Sequence, residues 1–235
     1  MIQFFVFSIL LVPGMMLAAP EKQPRVATEE HAHETAVEDL AGEHGIVERL
    51  LLVYEEMVRR LKADEAFDAH DLFLTADMMH RFVEQYHEKV EEEYVFPVFE
   101  KAHTADRLTA ELRKQHEAGR AITKKVLELA RNQVWDKKQK RTLKKLLSQF
   151  VTMYRVHISR EDTDIFPQFR KMVSKAEYER LSEQFDDLEE ELFGKHAYKK
   201  FLQQIEAIEK RLDIFDIADV TPDFAKASSD RPAEE

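Results

Sequence analysis

His87-Glu-Lys-Val-Glu91-Glu92-Glu-Tyr-Val-Phe96-Pro97-Val-Phe99-Glu-Lys101 and His157-Ile-Ser-Arg-Glu161-Asp162-Thr-Asp-Ile-Phe166-Pro167-Gln-Phe169-Arg-Lys171 are two copies of one pattern, His-x-x-x-Glu-acid-x-x-x-Phe-Pro-x-Phe-x-Lys. Each copy has a further histidine upstream at nearly the same distance, His44 before His87 and His116 before His157. The duplicated unit is therefore a helical hairpin. Two residues at one level of an antiparallel helix pair must straddle their turn symmetrically. The midpoint of His44 and His87 falls within 63–66, that of His116 and His157 within 134–137, and that of Glu91 and His116 within 101–104. All three lie where the apolar periodicity breaks. The expected fold is all-α, an up-down-up-down four-helix bundle with His44, His87, His116 and His157 converging at one level.

Helical spacing runs through almost the whole body of the chain. Leu40, Ile46, Val47, Leu50, Leu51, Tyr54, Met57 and Leu61 mark a first amphipathic helix ending near 63–65. A second is expected over about 71–96, a third over 104–131 and a fourth over 136–166. Ser174 and Glu177 form a Ser-x-x-Glu capping box that opens a fifth helix, and Gly194 closes it before a sixth over 195–212, so two additional C-terminal helices follow the bundle.

Histidine and glutamate four apart on a helix share a face, so both can reach one bound ion. Two such pairs, His87/Glu91 and His157/Glu161, plus His44 and His116 supply four nitrogens and two carboxylates. That set exceeds what one tetrahedral zinc needs. It suits two ions bridged by carboxylates, an arrangement that bundle cores use for iron or manganese. Without an ion, carboxylates and imidazoles would be costly to bury. A lone His-x-x-x-Glu carries little weight, because His44/Glu48 and His80/Glu84 share the spacing. The duplicated flanks and the coincident midpoints set the other two pairs apart. Ferritin-like di-iron bundles need Glu-x-x-His on two helices, and within the body only Glu84-Gln-Tyr-His87 qualifies.

The composition narrows the alternatives. The chain has 235 residues, a formal charge of −11, ten histidines and no cysteine. The last count excludes disulfide frameworks, thiolate metal sites and cysteine nucleophiles. The acidic balance excludes binding to a nucleic-acid backbone. The five glycines compose no phosphate-cradling loop. Residues 1–19 are almost wholly apolar and read as an export signal, or as a membrane anchor if uncleaved, which places the mature protein in the periplasm or outside the cell. Residues 20–36, with His31 and His33, read as a flexible linker, 37–215 as the bundle domain and 216–235 as a disordered tail.

Over residues 37–212 the chain resembles the hemerythrin-like, or histidine-histidine-glutamate (HHE) cation-binding, family. The two repeated segments, Gln115-His116-Glu-Ala-Gly-Arg120 and the C-terminal helix pair carry the resemblance. What it implies is a non-haem di-iron centre that binds or senses dioxygen. His44, His87, Glu91, His116, His157 and Glu161 would be the ligands, with both glutamates bridging. The sequence departs from the oxygen carriers of that family at two places. Their fifth histidine is replaced by Arg120, and their last carboxylate, an aspartate one position later, corresponds to Asp162 rather than the in-phase Glu161. A centre with four histidines has positions open to water or a small ligand. That leaves two further readings: a di-iron redox enzyme reducing peroxide, dioxygen or nitric oxide, and an iron-holding or protein-interaction module. Arg120 is expected to face an acid or reduced oxygen species near the iron, or else to pair at the surface with Glu117 or Glu128. Tyr54, Tyr86 and Tyr154 neighbour the site as core residues with hydroxyls in reach. His80 could approach the cavity end, whereas His70, His103 and His196 belong to turns or outer surfaces.

Overall fold

The computed structural model describes residues 36–217, and every regular element among them is helical. The leader, nearly all of the linker with His31 and His33, and most of the tail lie outside the described residues. Six helices follow in order: α1 Ala36–Ala63, α2 over 69–102, α3 Asp106–Ala130, α4 over 137–172, α5 Lys175–Phe193 and α6 Ala197–Arg211. Among the described residues no helix is long and apolar enough to cross a membrane.

Local chemistry sets the boundaries. Glu38 and Asp39 occupy the first turn of α1 and Arg60 and Lys62 the last, matching the helix dipole at both ends. The Asp68 side chain caps α2 by accepting from the His70 N–H. Asp136 and Gln139 complete a reciprocal capping box at the start of α4. Ser174 accepts from the Glu177 N–H to open α5, and Gly194, at φ +73°, ends it, as the sequence predicts, but the Glu177 carboxylate accepts from Arg180 rather than closing the expected capping box. The first four helices pack in a ring, α1 on α2, α2 on α3, α3 on α4 and α4 on α1. Short turns join consecutive members. α5 and α6 lie over α1 and α2, where Phe193 and Phe201 contact Phe82 at 6.1 and 4.8 Å.

The helices carrying the repeats do not stop at 96 and 166, which corrects the sequence expectation. They run on to Ala102 and Met172 through Pro97 and Pro167. A proline inside an α-helix lacks an N–H and clashes with the carbonyl four residues back. Here a π turn relieves the conflict in each copy, over Glu91–Val95 and over Glu161–Ile165. The Phe96 N–H reaches back to the Glu91 carbonyl and the Phe166 N–H to the Glu161 carbonyl. In the first copy Pro97 can give the Glu92 carbonyl nothing, and the Arg113 guanidinium binds that carbonyl instead at 2.9 Å.

Candidate metal centre

The ring of helices brings all six predicted residues together, each buried. His44 Nε2 on α1 lies 3.1 Å from His87 Nε2 on α2, and His116 Nε2 on α3 lies 3.0 Å from His157 Nε2 on α4. Between the pairs sit the carboxylates of Glu91 and Glu161, both 0% exposed. Each glutamate turns one oxygen to each pair. Glu91 places Oε1 3.5 Å from His87 Nε2 and Oε2 3.4 Å from His116 Nε2. Glu161 places Oε1 3.0 Å from His157 Nε2 and Oε2 3.6 Å from His44 Nε2.

The outer ring nitrogens are held by a second layer of acceptors. His44 Nδ1 faces Asp162 Oδ1 at 2.8 Å, His87 Nδ1 faces Glu43 Oε2 at 2.7 Å, His116 Nδ1 faces Glu92 Oε1 at 2.9 Å and His157 Nδ1 faces Gln115 Oε1 at 3.0 Å. An acceptor at Nδ1 draws the ring proton there, which leaves Nε2 as a lone pair pointing inward. Phe166 stacks on His44 at 5.5 Å and Phe96 on His116 at 5.7 Å, so apolar rings cover the same two imidazoles.

The interior of the cluster is thus lined by acceptor groups. Four ring nitrogens converge on four carboxylate oxygens, and none of those oxygens has a hydrogen-bond partner. An unpartnered buried carboxylate is costly, and buried polar atoms are nearly always satisfied. Cations supply what this donor set lacks. Two tetrads could each hold one: His44, His87, Glu91 and Glu161, and His116, His157, Glu91 and Glu161. The two glutamates belong to both.

The charges respond to the crowding. Burial pushes the Glu91 carboxyl up, but the His87 charge, with His116 and His157, outweighs it and holds Glu91 down at about 2. Burial and the neighbouring Glu91 charge push Glu161 well above the carboxylate range. For His87, burial works downward and is overcome by Glu91 and Glu43, which hold the ring well above its ordinary value. His157, whose outer partner is an amide, is lowered to about 3 by burial and the His116 charge. Burial and the neighbouring charges thus make Glu161 and His87 hold protons more tightly than free groups, and an entering cation competes with those protons. Metal uptake is expected to acidify a weakly buffered solution, with affinity falling as the pH is lowered; a pH indicator and titrations at two pH values check both.

The remaining candidates separate. Asp162 lies outside the tetrads as the partner of His44 Nδ1, while Glu161 lies inside them. Arg120 does not pair with Glu117 or Glu128. Its Nη1 donates to Glu88 Oε2 at 2.6 Å and its Nη2 to Glu92 Oε1 at 2.9 Å, so it steadies the acid that holds His116. The Tyr154 hydroxyl donates to Glu88, and its ring stacks on Phe150 at 4.3 Å. Tyr86 reaches Glu43, whereas the buried Tyr54 hydroxyl finds no partner. His80 bonds Glu84 at 2.9 Å on the half-exposed side of α2; His70, His103 and His196 are exposed. A Cβ added at Gly119 would meet the Tyr154 hydroxyl at 2.7 Å. With that ring pinned on two sides, Gly119→Ala is expected to cost about 1–3 kcal/mol of stability, read by urea denaturation.

Sequence reasoning missed Glu43 and Gln115 as acceptors. A signal existed, since each immediately precedes the lone histidine of its hairpin.

The model of the hemerythrin HHE cation binding domain matches residues 35–169. The chain belongs to the hemerythrin HHE cation-binding family. Three curated mycobacterial proteins, one from Mycobacterium bovis and two from Mycobacterium tuberculosis, are 37% identical to it over 201 residues. The shared region covers 85% of this chain and 79% of each relative, all three described as uncharacterized proteins. No solved structure matches. Within this HHE domain the two tetrads that could each hold a metal ion are buried.

Proposed function

We propose that this HHE protein is a non-haem di-iron protein that binds or senses dioxygen at a carboxylate-bridged pair. One observation carries the reading: Glu91 and Glu161, fully buried and without a hydrogen-bond partner, each turn one oxygen to each histidine pair. His44 and His87 would hold one ion and His116 and His157 the other, with both glutamates shared; manganese fits the same donors. A reduced iron pair would supply the affinity for dioxygen. The chain's own residues fix the geometry and exclude water. Asp162, Glu43, Glu92 and Gln115 orient the rings through Nδ1, and Phe96 and Phe166 cover two of them.

Binding is favoured over turnover because Arg120, the cation beside Glu92, is engaged by Glu88 and Glu92. Export directed by the leader belongs to the same reading and is tested by fractionating cells and sequencing the mature N-terminus. The function itself is tested by counting metals in the purified protein, reducing it anaerobically and mixing it with air while recording near-ultraviolet and visible absorption. Two irons per chain and a stable oxygenated spectrum are the expected result. Fewer than one metal per chain would sink the dinuclear reading, and immediate oxidation with catalytic loss of peroxide would favour the redox enzyme.

A further inference from the structure

We infer that the two ion positions are unequal and fill in order, the His44/His87 position taking a divalent cation first and the His116/His157 position taking one second and more weakly. This rests on the two-ion reading above. The ligands themselves are symmetric: two imidazoles for each ion and two shared carboxylates. The layer behind them is not.

On the first side the Nδ1 partners are Asp162 and Glu43, two carboxylates, and among the described residues no Lys or Arg side chain pairs with either. On the second side the partners are the amide of Gln115 and the carboxylate of Glu92, and Glu92 also carries the Arg120 guanidinium. Aligning the hairpins on His44 and His116 extends the contrast. Arg113 and Arg120 in the second hairpin stand where the first has Ala41 and Glu48. The Arg113 guanidinium lies over the Phe96 ring at 5.2 Å, and that ring covers His116.

Even with Glu88 ionised beside Arg120, the surroundings of the second pair are less negative than those of the first. A divalent cation is drawn to the more negative side. An imidazole whose Nδ1–H is held by a carboxylate is also a stronger donor than one held by an amide. A groove of about 390 Å³ between α1 and α4 also reaches His44 itself, lined by Gly45, Glu48, Arg155, Ser159 and Asp162, with the Arg155 guanidinium held by Glu48 and Glu55. Asp162, 41% exposed, gives it an acidic lip.

The test is a titration of the metal-free full chain with Co²⁺, followed by calorimetry and visible absorption. Two Co²⁺ per chain are expected, in a tight and a weaker step. His116→Ala should keep the tight step and His44→Ala should lose it. Glu43→Gln, which keeps an acceptor for His87 but removes its charge, should weaken the first step about 10–100-fold. Gln115→Glu should strengthen the second step by a similar factor and narrow the gap. Circular dichroism of each metal-free variant confirms the helical fold, and Glu43→Gln decides alone if the added buried charge of Gln115→Glu disturbs folding. Loss of the tight step in His116→Ala but not in His44→Ala, or a gap unaltered in Glu43→Gln, would overturn the order. Fewer than two Co²⁺ in the unaltered chain would instead overturn the two-ion reading beneath it.

Discussion

Replacing Glu161 with alanine is expected to take the protein from two metal ions per chain to one or none. The reason is geometric. Glu161 faces His157 with one oxygen and His44 with the other, so its removal strips a donor from both tetrads at once. Glu91→Ala should do the same, through His87 and His116. Asp162→Ala should behave differently. That side chain touches only the outer nitrogen of His44, so two ions should still load, with affinity reduced about 10–100-fold. Elemental analysis after loading with ferrous iron under argon and desalting separates these cases. A loaded Glu161→Ala beside an empty Asp162→Ala would reverse the assignment and restore the aspartate of the oxygen carriers to the ligand set.

Stripping the metal should have the second large effect, on stability. In the metal-free protein, four imidazoles and two carboxylates face one another in the bundle centre, and the carboxylate oxygens have no hydrogen-bond partner. An ion bound by the folded chain alone stabilises it by about 4 kcal/mol when its concentration is a thousandfold above Kd. For a chain of this size that corresponds to a fall in Tm of roughly 8–16 °C on chelation. Scanning calorimetry with and without a chelator measures it. An unchanged Tm would mean that the histidines and glutamates satisfy one another by sharing protons.

The helices and the inward-facing residues were legible in the sequence because both depend on periodicity. His87 and Glu91 share a helix face whatever surrounds them, and the midpoints between paired histidines located the turns without any knowledge of packing. The capping residues Ser174 and Gly194 were legible for the same local reason. What lay beyond reach depends on contacts between helices. Arg120 could not be assigned to Glu88 and Glu92 from spacing, since both lie on a neighbouring helix. The acid after Glu91 and after Glu161 was visible as a repeated letter, but its task, holding a histidine of another helix, required the fold. The helix ends failed for a physical reason of their own. Proline normally marks a boundary, and only the π turns at Glu91–Val95 and Glu161–Ile165 let both helices continue.

The crosswise pattern of contacts has a consequence for the ancestry of the molecule. The first hairpin supplies His44, His87 and Glu91 to one tetrad but takes Glu161, the Asp162 acceptor and the Phe166 cover from the second; the second hairpin borrows Glu91, Glu92 and Phe96 in return. Neither half is a complete binding unit. A single-hairpin progenitor would therefore have had to pair with a copy of itself, and fusing two genes would have turned a two-fold homodimer into one chain. Such a fusion would also release the halves from identity. Within one chain the residue before the lone histidine can be Glu43 in one half and Gln115 in the other, a difference that no symmetric dimer of identical hairpins could maintain.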